Sequence, residues 1–364
     1  MDILLVSKPL VAPWNDSGKN WARDVATYAS TPSVRHRVLV PRGGAPSWEG
    51  VPNVWAEEVY GGPTGFAPPV FDLARVFLRL VRKRGCDAAH FCFAPNPRSC
   101  RMGRAAMLRR RQPSVHTVLS VPAKFDGIDR MLFSERVVAV SRSTADKLTA
   151  AGVRGVELVP AAIPIPEPRA IVADGSAPQI VFPGDYEFSR GADIFALAVE
   201  RMWREVDAEF VFACRTKTPD ALEREAALRR RLAEPIAAGR VRFAGEVPDI
   251  FDLLARAHAV VFPAESTYAK MDVPLVVLEA MALGTPVILA DVAPLRECLG
   301  DAPEAAGGVL VPALDPGALA SAIQAMLDDP EGAQQRGVLA AAHVRAHRDA
   351  SKVCRKYLEI YDEL

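Results

Sequence analysis

The stretch 259–288 holds the residues of this chain that are best suited to do chemistry. Asp272 suits a helix N-cap, Pro274 the first helical turn and Gly284 the residue after the last turn, which together predict a helix of about ten residues. Free backbone N–H groups and the helix dipole favour a phosphate or pyrophosphate at its amino end. Glu279 could accept hydrogen bonds from a ribose diol, and an ordinary exposed helix carboxylate is the open alternative. This pattern favours a nucleotide as the ligand.

Short β-branched runs alternate with helical patterns along the whole chain, which is typical of parallel sheets covered by helices on both faces. The sequence therefore predicts an α/β fold. Helices are predicted at 20–29 and 143–151. Strands are predicted near 3–6, 38–40, 89–93, 115–119, 137–140 and 157–159, and then near 179–182, 209–213, 241–244, 259–262 and 287–290.

Five prolines between Pro160 and Pro178 exclude an extended helix or a central strand from that segment. They predict a linker at 166–178 between a first domain at 1–165 and a second at 179–344. Open parallel sheets bind ligands at the carboxyl ends of their strands. We expect a site shared between the two domains to lie in the cleft that they face.

The chain has no net charge, yet its two halves differ in charge. Residues 1–175 hold 24 lysines and arginines against 15 aspartates and glutamates, and no acidic residue stands between Ala88 and Phe125. Such a field attracts an anionic acceptor or lipid surface, and solvated helix faces are the alternative. Because no aromatic residues interleave with the arginines, we expect no nucleic-acid partner.

The composition excludes several classes of protein. With 364 residues, of which 50% are hydrophobic and 24% charged, the chain is expected to be globular rather than disordered. No apolar run approaches the roughly 18 residues that a membrane-spanning helix needs. The opening residues, 1–7, predict a buried strand rather than a signal peptide, so we expect a cytoplasmic location. Six cysteines without CxxC spacing disfavour a zinc knuckle or a redox dithiol.

The run 278–287, LEAMALGTPV, resembles the donor-site signature of glycosyltransferase family 4, whose members are retaining enzymes with the two-domain GT-B fold. Residues 241–248 and 257–263 resemble the family's segments around the nucleotide-base pocket. Residues 138–143 resemble the strand-to-helix step that closes its first domain. The order and spacing agree over nearly the whole chain. The resemblance implies a GT-B fold of two Rossmann-like domains, with residues 345–364 packing back on the first.

By this resemblance, Glu279 is the second glutamate of the family's E-x7-E pattern and holds the donor ribose. Met271 stands in place of the first glutamate, and its side chain cannot accept hydrogen bonds from a sugar hydroxyl. Asp272 or Glu265 could substitute for it, and Asp272 is closer in register. The loop before Glu279 is also longer than is usual in the family.

A second departure follows the strand at 179–182. Family members usually carry an arginine after the glycine that matches Gly184, and a lysine five residues later, both directed at the donor diphosphate. This chain has Asp185 and Arg190 in these places. Arg190 can neutralise a diphosphate, whereas Asp185 removes one positive charge and could pair with Arg190. Lys270 could restore the lost cation.

A third departure lies in the first half. Residues 14–20 resemble the family's glycine-rich loop where donor and acceptor meet, but only Gly18 matches the glycine pair. Relatives often place a histidine where this chain has Leu119. We expect the nearby His116 to pack rather than react, because strand histidines usually do. Ser120, at the carboxyl end of the strand, is the better candidate.

The resemblance implies a retaining transferase that moves a sugar from a nucleotide-diphosphate donor to a small-molecule, glycan or lipid-linked acceptor. It needs no metal and no cofactor, and the basic first domain is expected to contact a membrane peripherally. A catalytically inactive accessory protein of the same fold is the alternative. The catalytic candidates are Asp272, Arg190 and Lys270. The donor-binding candidates are Glu279, Gly184, Arg190, Gly245, Val247, Met271, Val273, Pro274 and Leu275, and the cleft-loop candidates are Ser17, Gly18 and Ser120.

Overall fold

The apolar runs of the sequence form the strands of two separate sheets. The computed structural model describes residues 1–62, 68–82, 85–120, 122, 124–169, 177–187, 189–268 and 270–364. Unit 1 comprises Met1–Pro164, Ala269–Asp272 and Asp349–Leu364, and unit 2 comprises Ile165–Tyr268 and Val273–Arg348. The C-terminal segment that belongs with unit 1 therefore begins at Asp349.

All described strand pairs are parallel. The sheet of unit 1 has the order β3-β2-β1-β4-β5-β6-β7, and that of unit 2 has the order β10-β9-β8-β11-β12-β13. The strands are β1 (Asp2–Val6), β2 (Arg35–Pro41), β3 (Val54–Tyr60), β4 (Ala88–Cys92), β5 (Ser114–Val118), β6 (Arg136–Ala139), β7 (Val156–Leu158), β8 (Gln179–Phe182), β9 (Glu209–Phe212), β10 (Val241–Phe243), β11 (Ala259–Phe262), β12 (Val287–Ala290) and β13 (Gly308–Val311). The predicted α/β fold with two parallel-sheet domains is confirmed.

Helices connect these strands. They are α1 (Ser17–Tyr28), α2 (Val70–Val81), α3 (Pro97–Arg110), α4 (Ile128–Met131), α5 (Arg142–Ala150), α6 (Gly191–Met202), α7 (Pro219–Arg231), α8 (Ala233–Ala237), α9 (Ile250–Arg256), α10 (Leu275–Ala282), α11 (Ala293–Arg296), α12 (Pro316–Asp328), α13 (Pro330–His347), α14 (Ala350–Val353) and α15 (Lys356–Asp362). Two short 3₁₀ helices lie at Ala45–Trp48 and Glu297–Leu299.

Two strands, β3 and β13, were not predicted from the sequence. Each lies at an edge of its sheet, and only its first and last residues are buried. In β3, Glu57 and Glu58 interrupt the continuous apolar run by which central parallel strands are identified. In β13 the apolar run is only three residues long and follows a glycine.

A buried polar network joins the C-terminal helix α15 to the sheet of unit 1. The Tyr361 hydroxyl lies 2.7 Å from Nδ1 of His90 and 3.2 Å from Nε2 of His36. Nε2 of His90 lies 2.7 Å from the Thr117 hydroxyl, which lies 2.9 Å from that of Tyr357. Burial lowers the pKa of His36 to about 3 and that of His90 well below its usual value, so both rings are neutral at physiological pH. The network satisfies polar side chains that the sheet would otherwise bury unpaired.

A buried carboxyl group lies on α1. Asp24 is 1% exposed, and Nε of Arg23 donates to its Oδ1 at 2.8 Å. Burial raises the pKa of Asp24 to about 7, although the Arg23 guanidinium acts to lower it. The carboxyl therefore takes up a proton on folding at mildly acidic pH.

Replacement of this carboxyl should change how stability depends on pH. Because the pKa is raised from 3.8 to about 7, the contribution of Asp24 is fully present below the unfolded value and is lost as the pH rises through the folded value. At about 1.4 kcal/mol per pKa unit, this amounts to a few kcal/mol. We expect Asp24→Asn to flatten the fall in unfolding free energy between pH 3.8 and 7, measured by urea denaturation. The exposed Asp146→Asn is the control, and an equal slope in wild type and Asp24→Asn would contradict the assignment.

Candidate functional site

The strand order of unit 2 places a topological switch point between β8 and β11. From β8 the chain runs outward through β9 to β10, and it then crosses to β11 and runs the other way to β13. In open α/β sheets, ligands bind outside the carboxyl ends of the two strands at such a point. Gly184 and Arg190 follow β8, and Val273, Pro274 and Leu275 follow β11 at the start of α10. The fold therefore places these predicted donor residues in the segments that follow the two strands of the switch point.

The loops that follow β8 and β11 are in contact. The backbone N–H of Glu265 donates to the carbonyl of Ser189 at 2.9 Å. A Cβ added to Gly191 would lie 3.7 Å from Cα of Ala264, so the two backbones approach closely there. This contact fixes the start of α6 against the loop after β11.

Arg190 is presented from the amino end of α6, a helix of 12 residues. Ser189 and Arg190 both have left-handed backbone conformations, with φ of 77° and 53°, which cost conformational energy in residues other than glycine. The Arg190 carbonyl accepts from the Ile194 N–H at 3.0 Å, while its side chain is exposed. The turn thus directs a guanidinium outward beside the free N–H groups of a helix start.

The turn after β8 has no room for a larger residue at Gly184. A Cβ there would lie 2.0 Å from Cζ of Phe182, which is fully buried. Asp185 next to it accepts a hydrogen bond from the Glu187 N–H at 3.2 Å, so its carboxylate supports the turn. Close packing, rather than a positive φ, explains the glycine.

Helix α10 begins at Leu275, with Pro274 as its N-cap and no side-chain cap. The predicted N-cap role of Asp272 is wrong, and the helix has eight residues rather than about ten. Its end agrees with the prediction: Gly284 has φ of 87°, and the Thr285 N–H donates to the Ala280 carbonyl at 3.0 Å, as in a Schellman motif.

Glu279 lies on the accessible side of a helix that is otherwise buried. Of the eight residues of α10, only Val276 and Glu279 are not buried, and they are three residues apart on one face. Glu279 is half-buried, in contrast to an ordinary exposed helix carboxylate. This position suits a carboxylate that meets a ligand beside the helix.

Asp272 packs in unit 1 and is fully buried. Its Oδ2 accepts from the Ser141 hydroxyl at 2.7 Å, and its backbone N–H donates to the Leu119 carbonyl at 3.0 Å. Ser141 also caps α5, since its side chain accepts from the Thr144 N–H. These bonds explain why Asp272 does not cap α10. The predictions missed Ser141, because a sequence identifies a helix cap but not a partner 131 residues away.

Lys270 and Met271 belong with Asp272 in unit 1, where Met271 is buried and Lys270 is partly exposed.

The predicted cleft loop is partly helical. Ser17 and Gly18 form the first turn of α1 instead of a loop, because the Asp16 side chain caps that helix by accepting from the Lys19 N–H. A Cβ at Gly18 would lie 3.2 Å from Cδ1 of Leu119, so Gly18 packs against the segment that follows β5. Ser120 lies two residues beyond the end of that strand and is partly exposed.

His116 is fully buried on β5 and packs among aromatic rings, its ring centre 4.5 Å from that of Phe93. Its Nε2 lies 3.1 Å from the Phe93 carbonyl, and burial lowers its pKa to about 4. The histidine therefore packs in the sheet, as predicted.

The segment after β10 starts from an aromatic stack. Phe243 lies parallel to Phe212 with ring centres 4.6 Å apart, and the Arg229 guanidinium lies 4.4 Å from the centre of the Phe243 ring. Gly245 then adopts φ of 64°, which turns the chain before the partly buried Val247. Nothing in the sequence pattern identified Arg229 as a neighbour of this segment.

Within the described ranges, no three histidine, cysteine, aspartate or glutamate side chains are placed to hold a metal ion. No helix among the described residues is both long enough and apolar enough to cross a membrane.

Comparison with known proteins agrees with this architecture. Residues 177–329 match the family described as "Glycosyl transferases group 1". Among curated proteins, phosphatidyl-myo-inositol mannosyltransferase of Mycolicibacterium smegmatis is 33% identical over 126 residues, which cover 34% of this chain and 31% of that protein. The match thus spans about a third of the length of this relative.

The similarity to solved structures extends over the whole chain. Sucrose-phosphate synthase from Thermosynechococcus elongatus is 20% identical with a TM-score of 0.79, and the match covers 100% of this chain and 98% of that one. HepE from Anabaena, solved in complex with UDP-glucose, is 17% identical with a TM-score of 0.76, with all of both chains covered. The predicted resemblance to glycosyltransferases is therefore confirmed: the chain has the GT-B fold, and its residues 177–329 match the group 1 glycosyltransferase family.

Proposed function

We propose that this protein is a retaining glycosyltransferase that moves a sugar from a nucleotide-diphosphate donor to an acceptor. The observation that carries the proposal is the meeting of the two loops at the switch point of unit 2, with Arg190 exposed beside them. The structure of HepE with UDP-glucose supports a nucleotide sugar as the donor. The acceptor is a small molecule, a glycan or a lipid-linked group.

The donor is held by unit 2 in this proposal. Glu279 accepts hydrogen bonds from the ribose diol, and the segment of Gly245 and Val247 lies against the base. Arg190 and the N–H groups at the start of α10 bind the diphosphate. Val273, Pro274 and Leu275 bring the backbone of that helix start to the phosphates. Lys270 and Met271 belong to unit 1, and their predicted roles toward the donor stay predictions.

The proposed reaction requires stabilisation of the negative charge on the leaving diphosphate, and it requires no nucleophile from the enzyme. Negative charge builds on the diphosphate as the glycosidic bond breaks, and fixed cations and N–H dipoles stabilise that charge without reorganising. Front-face attack, in which the leaving diphosphate takes the acceptor proton, retains the configuration of the sugar. The protein contributes position and electrostatics, and exclusion of water protects the donor from hydrolysis.

The missing first glutamate has two candidate substitutes. The Asp272 carboxylate is fully buried and its Oδ2 accepts from the Ser141 hydroxyl, so its side chain presents no accessible surface to a ligand. Glu265 is partly exposed, and its own N–H forms the bond to Ser189 at the switch point. We propose Glu265 as the group that meets the donor sugar, and Asp272 as a positioning residue that orders the chain before α10.

The cytoplasmic location stays a prediction. The peripheral membrane contact predicted for the basic first domain is likewise a prediction.

The donor is identified by thermal shift with UDP-, GDP- and ADP-sugars, followed by measurement of nucleoside diphosphate released from the sugar that binds. Binding with slow release supports a transferase. Binding without turnover, with or without added acceptors, supports the inactive accessory protein, and no shift with any nucleotide contradicts the proposed donor site.

Truncation of Glu279 should weaken donor binding. We expect Glu279→Ala to raise the dissociation constant of the bound nucleotide sugar about tenfold, because a charge-assisted hydrogen bond to the ribose is lost. Isothermal titration measures the constant. Glu223→Ala on the exposed face of α7 is the matched control, and an unchanged constant in Glu279→Ala would remove this residue from the site.

Neutralising Arg190 should act on the diphosphate. Arg190→Gln is expected to weaken binding of the nucleoside diphosphate about tenfold and to lower turnover by more, since the charge grows in the transition state. Arg201→Gln, at the other end of α6, serves as the control. Equal losses of affinity in the two variants would show that Arg190 acts only through the net charge of the protein and not through contact with the diphosphate.

A further inference from the structure

Helices α2 and α3 pack side by side on one face of the unit 1 sheet. Val76 and Leu80 of α2 lie in the same buried cluster as Ala106 and Met107 of α3, against Phe91 of the sheet. Their outer faces therefore form one continuous surface, which we call the α2–α3 surface and define by Val70, Phe71, Leu78, Arg101, Leu108 and Arg109.

The outer face of α2 is apolar where a solvated helix is ordinarily polar. Phe71 is 81% exposed, Val70 74% and Leu78 49%. Helical spacing places Phe71 and Leu78 on the same side as the exposed Arg75, and Val70 lies beside them at the start of the helix. Clustered exposed apolar residues on a monomer mark a contact surface.

The outer face of α3 is cationic. Arg98, Arg101, Arg104 and Arg109 are exposed at helical spacing around Leu108, which is itself 74% exposed. Arg104 also donates to the Leu132 carbonyl at 3.1 Å, so it is partly tethered. Helix α3 carries no carboxylate.

The one carboxylate of α2 does not offset these charges at the surface. Asp72 is 3% exposed, and its Oδ1 accepts from the Arg75 guanidinium at 2.7 Å and from the Gly61 N–H at 2.9 Å. The exposed face of the two helices thus combines large apolar side chains with positive charges and no exposed carboxylate of either helix.

Helix α7 of unit 2 provides the contrast. It has a similar length and also exposes a leucine, Leu222, among arginines, but Asp220, Glu223 and Glu225 are interleaved with them. A face of mixed charge is what solubility alone requires. The face of α2 and α3, which carries only positive charges among apolar side chains, requires another explanation.

We propose that the α2–α3 surface docks on an anionic lipid surface. Phe71, Leu78 and Leu108 enter the boundary between headgroups and acyl chains, and the arginines bind lipid phosphates while their aliphatic stems lie along the apolar layer. With 12 and 14 residues, both helices are too short to span a bilayer, so the contact is peripheral. The charge of the surface complements an anionic membrane. The proposal does not depend on the transferase assignment.

The test is co-sedimentation of the full chain with sucrose-loaded vesicles. We expect binding to equimolar phosphatidylglycerol and phosphatidylcholine, weak binding to phosphatidylcholine alone, and a loss of binding as salt is raised. Arg101→Gln with Arg109→Gln should weaken the partition coefficient about fivefold for each arginine. Phe71→Ser with Leu78→Ser should weaken it while leaving its salt dependence unchanged.

The controls are the matched changes on α7, Arg224→Gln with Arg230→Gln, and Leu222→Ser, which should leave the partition coefficient unchanged. Thermal unfolding of every variant checks that the exposed substitutions leave the fold intact. Equal binding to both kinds of vesicle, or equal losses from the α7 changes, would overturn the proposal. The proposal would also be overturned if the protein bound duplex RNA more tightly than anionic vesicles at the same salt, and if Arg101→Gln with Arg109→Gln abolished that RNA binding.

Discussion

The hydrogen bond from the Glu265 N–H to the Ser189 carbonyl is the contact on which the candidate site depends. It joins the segments that follow the two strands at the switch point, and so it fixes the start of α6 beside the loop after β11. The turn that it holds contains two residues in left-handed conformations. Such a turn persists only where surrounding contacts determine it, and the packing of Gly184 and Gly191 against Phe182 supplies them.

The two units expose their cations in different arrangements. Unit 2 offers an exposed guanidinium and helix starts at the end of its sheet, which suits a small, highly charged anion. Unit 1 spreads its cations over the outside of two helices, with apolar side chains between them, which suits an extended anionic surface. Both arrangements attract anions. The cation of unit 2 is concentrated at one point, whereas those of unit 1 are spread over a surface. The neutral total charge of the chain conceals this division.

The central strands could be predicted from the sequence because each is buried on both faces and reads as an apolar run. The edge strand β3 could not, since Glu57 and Glu58 break that run, and the apolar run of β13 is only three residues long and follows a glycine. The end of α10 was predictable because Gly284 acts locally, through its own backbone conformation. Its beginning was not, because Asp272 forms its hydrogen bonds with Ser141 and Leu119, which are distant in sequence. Local signals fix helix ends only where no tertiary contact competes for the capping side chain.

The histidine and tyrosine network of unit 1 has a consequence for the last turns of the chain. Tyr357 and Tyr361 complete the hydrogen bonding of His90 and Thr117 inside the sheet, so loss of α15 would remove the buried hydroxyl partners of polar side chains on three strands and uncover that face of the sheet. Versions of this protein that lack α15 would therefore have a less stable unit 1 sheet, so the stability of β1 depends on a helix more than 350 residues further along the sequence.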